Sequence, residues 1–227
     1  GGNTHGYPGW IRKSAVVEAD GAHDYNAVVG QACAAVSSKP SHEGVELGKL
    51  PLGARLTIEA NGNTADWLAI RPSDGTAWIP AAYVNTYSVV DNEQLRESLI
   101  RTAELFIGIP YLWGGRSTCA TEHAVRKVQD ARHAAQVSAE STNSLRPSTF
   151  SLYPGSTPNA VYGVDCSGLT NLVYRAHFMD IPRDAADQAR VCRRITLDAL
   201  KRADLIFVSA QEAPEEIVHV MLSLGGE

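Results

Sequence analysis

The stretch Gly163-Val164-Asp165-Cys166-Ser167-Gly168-Leu169 decides how the C-terminal part of this chain is interpreted. After the cysteine, apolar residues recur three and four positions apart, which predicts a helix that begins at or just before Cys166. A helix N-terminus presents unpaired N–H groups and partial positive charge, and both favour a thiolate. Cys166 is therefore the candidate nucleophile, and its backbone N–H is a candidate oxyanion donor.

A histidine suited to act as the general base stands near the end of the chain. Asp204–Val208 reads as one strand, residues 212–216 as a turn, and Ile217–Leu224 as a second strand that carries His219. Such a histidine can project from a sheet towards a helix-borne cysteine. Free cysteines are commonly buried and inert, and strand histidines are commonly core residues, so these two residues alone leave a structural interpretation open.

Residues 26–90 predict a small all-β unit. Leu52–Glu59 alternates apolar and polar residues, and Asn61-Gly62 is a hairpin signal. Short strands with close turns are typical of a small barrel, in which Trp67 and Trp78 are expected to be core residues.

An internal repeat suggests a second barrel upstream. Residues 5–16 and 74–84 both place Gly, then Trp-Ile, then a Val five residues beyond the Ile. We therefore interpret residues 1–20 as the last strands of an earlier barrel. Because a lone hairpin is barely stable in water, we expect the natural chain to start further upstream.

A helix and an aromatic loop follow the β unit. Asp91 is a predicted N-cap, with Gln94 completing a capping box, and Gly108 and Pro110 end the helix. The loop from Pro110 to Arg116 then brings two aromatic residues and flexible backbone together. Residues 117–162 read as an inserted excursion, either a lid or a decorative insertion.

Composition excludes several classes of function. The chain has 227 residues and a formal net charge of −5, so nucleic acid is an unexpected partner. No apolar run approaches the ~20 residues of a membrane span. The four cysteines are too scattered for a disulfide scaffold, and Cys119 with His123 is a possible metal pair that lacks further ligands. We expect neither a metal nor an organic cofactor, and the sequence leaves the compartment open.

The order Tyr-x-Trp-Gly-Gly, Asp-Cys-Ser-Gly-Leu, Asp-Leu-Ile-Phe and His-Val resembles the NlpC family of papain-like cysteine peptidases. The resemblance covers residues 91–224, apart from the excursion. The preceding unit resembles bacterial SH3-like modules, through its Trp-Ile and terminal Val pattern. Together they are similar to the γ-D-glutamyl-L-diamino-acid endopeptidases, which cut stem peptides of peptidoglycan.

This resemblance assigns roles to individual residues. It implies that Cys166 is the nucleophile, His219 the general base, and Tyr111 a neighbour that assists the oxyanion. Asp165 and Ser167 match positions that hold the terminal amine of the substrate, although Asp165 is also a plausible helix cap.

The resemblance also extends to residues outside the catalytic group, and the chain departs from the family at two positions. Trp113 is expected to wall the pocket, and Arg183-Asp184 and Gln188 to support the structure. No residue is assignable as the third catalytic group, because the chain stops in the turn at residues 225–227, and we interpret this end as truncated. Ala203 stands where the family commonly has Gly.

The predicted architecture is therefore multidomain: small SH3-like barrels followed by an α+β papain-like peptidase domain. We expect a barrel remnant at 1–20, an SH3-like module at 21–90, and a peptidase domain at 91–227 that contains the 117–162 insertion. The expected substrate is peptidoglycan or its stem-peptide fragments, at the cell envelope rather than in the cytoplasm. Two alternatives stay open: an amidase or acyltransferase with another acyl donor, and a non-catalytic wall-binding protein.

Overall fold

The computed structural model describes residues 24–72, 75–120 and 162–225. The β-strands are β1 Ala27–Val29, β2 Cys33–Ser37, β3 Glu46–Pro51, β4 Arg55–Leu56, β5 Trp67–Ile70, β6 Ala77–Pro80, β7 Val84–Thr86, β8 Arg116–Ser117, β9 Gly163–Val164, β10 Leu205–Ala210 and β11 Ala213–Leu222. The α-helices are α1 Asn92–Glu104, α2 Cys166–Arg175 and α3 Ala185–Val191, and 3-10 turns occupy Ala81–Tyr83 and Leu197–Ala199.

Strands β1 to β7 form a small all-β unit, as the sequence predicted. One sheet has the order β3-β2-β6-β5 and the other the order β4-β1-β7, with antiparallel pairing throughout. Along each short strand, every second side chain points into the space between the two sheets. The shared core consists of Ala27, Val29, Ala34, Val36, Leu56, Ile70, Ala77 and Ile79.

The two tryptophans of this unit differ in burial. Trp67 is 7% exposed, which confirms it as a core residue. Trp78 is only half buried, and its indole N–H donates to the carbonyl of Gly62 at 3.2 Å. Trp78 therefore combines packing with a polar contact at the hairpin.

The second unit is built from α1, α2 and the β10–β11 hairpin. Asp91 caps α1 by accepting a hydrogen bond from the backbone N–H of Gln94 at 2.8 Å, which confirms the predicted start of the helix. Both helices turn an apolar face inward. Their common core contains Leu99, Ile100, Phe106, Val164, Leu172, Val173, Ala176 and Ala203.

The β10–β11 hairpin differs from the prediction at its turn. Strand β11 already begins at Ala213, so Pro214 lies within a strand and the turn is shorter than the predicted 212–216 segment. Register shifts occur on both sides of Ser209. Bulges of this kind accommodate an extra residue and tolerate a proline that cannot donate to the ladder.

Direct contacts join the two units. Leu52, directly after β3, is 1% exposed and packs in the core of the second unit. Asn85 donates to the carbonyl of Ala176 at 2.9 Å, and Arg175 donates to the carbonyl of Gly53 at 2.8 Å. The small β unit therefore shares buried apolar surface and hydrogen bonds with the helix that carries Cys166.

A disulfide between Cys33 and Cys119 also links the two units, with Cα atoms 5.3 Å apart. This corrects the interpretation of Cys119 as half of a metal pair with His123, because a disulfide sulfur offers no thiolate. The pairing was not predictable from the sequence, because the two cysteines are 86 residues apart and only the fold brings β2 beside the segment that follows β8.

Some predictions fall outside the described residues. The proposed barrel remnant at 1–20 and most of the 117–162 excursion belong to this group. In the three described ranges, no helix combines the length and apolarity that crossing a bilayer requires.

Candidate active site

Helix α2 begins at Cys166, and Asp165 is its N-cap. The Asp165 side chain accepts a hydrogen bond from the backbone N–H of Gly168 at 2.7 Å. The Cys166 thiol is free and half buried. A partly accessible thiol at the first position of a capped helix is open to a substrate. It also lies beside unpaired N–H groups and the positive end of the helix, which favour a nucleophilic thiolate.

Two glycines of the motif allow the backbone to pack closely around this helix end. Gly163 has φ +152°, and a Cβ there would collide with the carbonyl of Pro110. A Cβ on Gly168 would collide with the carbonyl of Gly115. The spacing Gly-Val-Asp-Cys-Ser-Gly therefore permits the aromatic loop to lie directly against the nucleophile helix.

The aromatic loop runs beside β9. Tyr111 forms a parallel bridge with Val164, and Leu112 donates to the Val164 carbonyl at 3.0 Å. Burial raises the pKa of Tyr111, and electrostatic interactions with Cys166 and Asp165 act in the same direction, while Arg183 acts in the opposite one. The Tyr111 hydroxyl therefore stays protonated and able to donate near the nucleophile.

Trp113 lies in the same loop, two residues after Tyr111. Its side chain is 55% exposed, so a large aromatic surface faces solvent next to Gly114, whose backbone N–H donates to Asp165 at 2.9 Å. Exposed tryptophans beside a nucleophile are suited to contact a ligand.

The carboxylate of Asp165 accepts four hydrogen bonds. Oδ1 accepts from Gly168 N–H and, at 3.3 Å, from the Ser167 hydroxyl. Oδ2 accepts from Gly114 N–H and, at 2.8 Å, from the Arg183 guanidinium. Four acceptor positions are about what an ionised carboxylate offers. Of the two roles that the sequence left open for Asp165, helix capping is the one seen here.

Arg183 connects three parts of the site. One nitrogen, Nη1, donates to the hydroxyl of Ser167 at 2.8 Å, while Nη2 donates to Asp165 and, at 3.2 Å, to the carbonyl of Gly115. The planar guanidinium is suited to such forked donation. Arg183 thus joins the segment after α2 to both neighbours of Cys166 and to the aromatic loop.

Gln188 supports the helix from behind. The side chain is fully buried, accepts from the Thr170 hydroxyl at 2.9 Å and donates to the Ser167 carbonyl at 3.0 Å. Every polar atom of this amide is therefore used within the fold. These contacts agree with the supporting role that the sequence predicted for Arg183 and Gln188.

His219 lies on β11, opposite Val208 of β10. It is exposed, whereas the next residue, Val220, is 2% exposed. Strand β11 packs against α2, but in the three described ranges the imidazole of His219 hydrogen-bonds to no other residue. The structure thus brings Tyr111, Asp165 and Ser167 around Cys166, and it leaves the Cys166–His219 pairing as a prediction.

The contacts of two residues at this site are not predictable from the sequence. The sequence predicts only a supporting role for Arg183, because an arginine after a proline does not indicate a bond to a residue before the helix. The pairing of Arg116 with Val164 in the β8–β9 ladder likewise depends on the fold. Among the described residues, no group of three or more His, Cys, Asp or Glu side chains is arranged to hold a metal ion.

Comparison with known families and proteins agrees with this geometry. Residues 149–227 match the model of the NlpC/P60 family. A γ-D-glutamyl-L-lysine dipeptidyl-peptidase of Bacillus subtilis (strain 168) is 25% identical over 97% of this chain and 58% of its own length. An enzyme of the same name from Bacillus cereus is 26% identical over 98% of this chain and 55% of its own length. The chain thus spans little more than half the length of these relatives.

A solved structure shows the same fold. The crystal structure of an NlpC/P60 family protein from Bacillus cereus ATCC 10987 superposes with a TM-score of 0.59 at 20% identity. The match covers 88% of this chain and 52% of that chain.

Proposed function

Residues 149–227 belong to the NlpC/P60 family of cysteine peptidases, and from this premise we propose that the chain hydrolyses the bond between γ-D-glutamate and a diamino acid in peptidoglycan stem peptides. The observation that carries the proposal is the half-buried thiol of Cys166 at the first position of a capped helix, beside Tyr111. The relatives named γ-D-glutamyl-L-lysine dipeptidyl-peptidase support the choice of bond.

In the proposed mechanism His219 takes the proton of the Cys166 thiol, and the resulting thiolate attacks the scissile carbonyl carbon. The oxyanion accepts hydrogen bonds from the Cys166 backbone N–H and from the Tyr111 hydroxyl. His219 gives a proton to the departing amine of the diamino acid, which leaves a thioester on Cys166. Water, deprotonated by His219, then attacks the thioester and releases the γ-glutamyl product and the free thiol. His219 must approach Cys166 for these proton transfers.

The remaining site residues have proposed roles in positioning. Asp165 and Ser167 hold the start of α2 through the hydrogen bonds described above. A substrate amine can bind Asp165 only by displacing one of its four donors, so an amine-binding role implies competition with Arg183. Trp113 forms the exposed wall of the binding site.

We also propose that the small β unit is an SH3-like module. The boundary between this module and the peptidase domain lies at about residue 90. Its two short antiparallel sheets around one core support this assignment. Its contacts with α2 make it part of the framework of the peptidase rather than a free tether.

The test is incubation of the protein with L-Ala-γ-D-Glu-L-Lys, with mass-spectrometric detection of free lysine and the L-Ala-γ-D-Glu product. Cys166→Ala and His219→Ala should each abolish release of lysine. Cys192→Ala, which removes the other free thiol, is the matched control and should retain activity. Release of lysine by Cys166→Ala at the parent rate would falsify the mechanism, and turnover of glutamine amides or lipid esters instead would support an amidase or acyltransferase.

A non-catalytic wall-binding protein is the second candidate, and the exposed His219, without a hydrogen-bond partner in the described segments, favours it. Sedimentation with purified peptidoglycan, combined with the lysine-release assay, distinguishes a wall-binding protein from a peptidase. A protein that cosediments with peptidoglycan but releases no lysine is a binder, whereas release of lysine that depends on Cys166 establishes the peptidase.

A further inference from the structure

A cavity of about 660 Å³ lies between α3, the segment that follows α3 and the β10–β11 hairpin. On the hairpin side it is walled by the half-buried side chains of Leu205, Phe207 and Ile217. Neither Cys166 nor any other described residue of the candidate active site is part of its lining. Its volume falls within the range of roughly 300–1,000 Å³ that is typical of pockets for small ligands. The cavity is therefore a candidate binding site separate from the nucleophile.

Most apolar residues of the lining are aliphatic, and some of them are open to water. Ile195 and Leu197, in the segment after α3, are 43% and 85% exposed. The hairpin contributes the face of a sheet, and the backbone groups of strands lie in the plane of the sheet rather than perpendicular to it. A peptide against this wall would lose hydrogen bonds with water, whereas a hydrocarbon chain has none to lose. The lining thus favours an alkyl chain.

Positive charge is concentrated at the same cavity, although the chain has a formal net charge of −5. Arg190, Arg193 and Arg194 line it, and Glu215 is the acidic residue among its described lining residues. Arg190 is paired with Asp187. In the three described ranges Arg193 and Arg194 have neither a hydrogen-bond nor an ion-pair partner, and both are exposed. Two guanidinium groups are therefore available to an anion.

The free thiol of Cys192 also lines the cavity and is half buried. Burial raises the pKa of Cys192, so near neutral pH the side chain is an uncharged thiol and does not repel an anion. Its position makes the sulfur a natural reporter of whether the cavity is occupied.

We propose that this cavity binds a fatty-acid anion, with the hydrocarbon chain against Leu205, Phe207 and Ile217 and the carboxylate at Arg193 and Arg194. The planar guanidinium is suited to bidentate binding of a carboxylate, and the chain removes apolar surface of the protein from water. The inference is independent of the proposed function, because it involves neither Cys166 nor the cleavage of a stem peptide.

The first test measures alkylation of Cys192 by iodoacetamide in the Cys166→Ala protein, followed by mass spectrometry. Without reductant Cys33 and Cys119 stay bonded, so Cys192 is the remaining free thiol. Decanoate at about ten times its dissociation constant, and below its critical micelle concentration, should slow the reaction roughly tenfold. Acetate, which lacks the chain, and decyltrimethylammonium, which has the opposite charge, should leave the rate unchanged. Equal protection by either of these two probes would overturn the proposal.

The second test measures decanoate binding to variants by calorimetry. Arg193→Gln/Arg194→Gln should weaken binding roughly 10- to 100-fold, because hydrogen bonds to a charged group are lost. Arg101→Gln/Arg202→Gln removes the same charge from exposed positions outside the cavity, is the matched control, and should bind as tightly as the parent. Equal weakening in the two double variants would reduce the effect to net charge and contradict the proposal.

The apolar part of the site has its own variant. Leu197 is mostly exposed, so Leu197→Ser should leave the fold intact and weaken decanoate roughly 3- to 10-fold. Unchanged affinity of this variant, or absence of decanoate binding to the parent protein, would overturn the proposal. Sedimentation velocity tests a different occupant: if Cys192 becomes protected as the protein dimerises without added ligand, a second copy of the chain covers the cavity and the fatty-acid assignment is wrong.

Discussion

The guanidinium of Arg183 lies 2.8 Å from the carboxylate of Asp165, the residue directly before the candidate nucleophile. The pair is largely shielded from solvent, with side-chain exposures of 23% for Arg183 and 11% for Asp165. Since Asp165 also caps α2, this ion pair fixes the position of Cys166 from a segment that follows the helix in sequence.

Arg183→Gln should therefore impair both stability and catalysis. Removal of one partner leaves Asp165 as an uncompensated, mostly buried charge, so we expect the free energy of unfolding to fall by about 3 kcal/mol. The substitution should lower kcat for the stem peptide by a larger factor than it changes KM. Arg183→Lys should retain part of the parent activity. Urea unfolding and steady-state kinetics measure both effects.

Arg190→Gln is the matched control for this prediction. Arg190 pairs with Asp187 on the exposed side of α3, three residues away in sequence. Its loss should change the free energy of unfolding by about 0.5 kcal/mol or less. Similar effects of the two substitutions would argue against a special role for Arg183.

The Cys33–Cys119 disulfide should be a major source of stability. It closes a loop across 86 residues, and in the entropic account a cross-link of that span raises the free energy of the unfolded chain by about 4.6 kcal/mol. The double variant Cys33→Ser/Cys119→Ser should lose stability of that order in chemical denaturation, and reduction of the parent should have the same effect. Cys192→Ser is the control, and a double variant no less stable than this control would refute the prediction.

Ala203 should be a strained position. It has φ +63°, in the left-handed region, and is 1% exposed. Ala176 is equally buried but has φ −63°, so Ala-to-Gly substitution at both sites removes similar buried surface while relieving strain only at 203. We expect the Ala203→Gly protein to be about 1 kcal/mol more stable than the Ala176→Gly protein. Equal stabilities in urea unfolding would show that no strain is stored there.

His177 should make stability dependent on pH on the acid side of neutrality. Burial lowers its pKa, and the ring nitrogen Nε2 lies 2.8 Å from the Thr102 hydroxyl. The unfolded chain therefore binds a proton more readily than the folded protein, so this contribution to stability is present above the ordinary histidine pKa of ~6.5 and declines as the pH falls below it.

His177→Gln should accordingly reduce the decline in stability between pH 7 and pH 5. Unfolding midpoints measured across that range give the slope for the parent and for the variant. An identical slope for His177→Gln and the parent would contradict the assignment.

The local features of the fold were predictable because they depend on neighbouring residues. The caps at Asp91 and Asp165 follow from the preference of a carboxylate for the first N–H groups of a helix. The apolar periodicity after Cys166 set the start of α2, and the alternation before Asn61 indicated a small β unit. The turn of the last hairpin was less predictable, since bulges near Ser209 depend on how the two strands pack.

Local patterns in the amino-acid sequence are sufficient to predict the candidate nucleophile, the helix that carries it, and the family motifs in which Tyr111 and His219 have expected roles. The fold was needed to show that Cys33 is bonded to Cys119, that Arg183 is bound to Asp165, and that Arg116 lies among other cations. Each of these relationships joins residues far apart in the chain. Local propensities do not encode such pairings, which arise when buried cores bring distant segments within the few ångströms over which sulfur and charge interact.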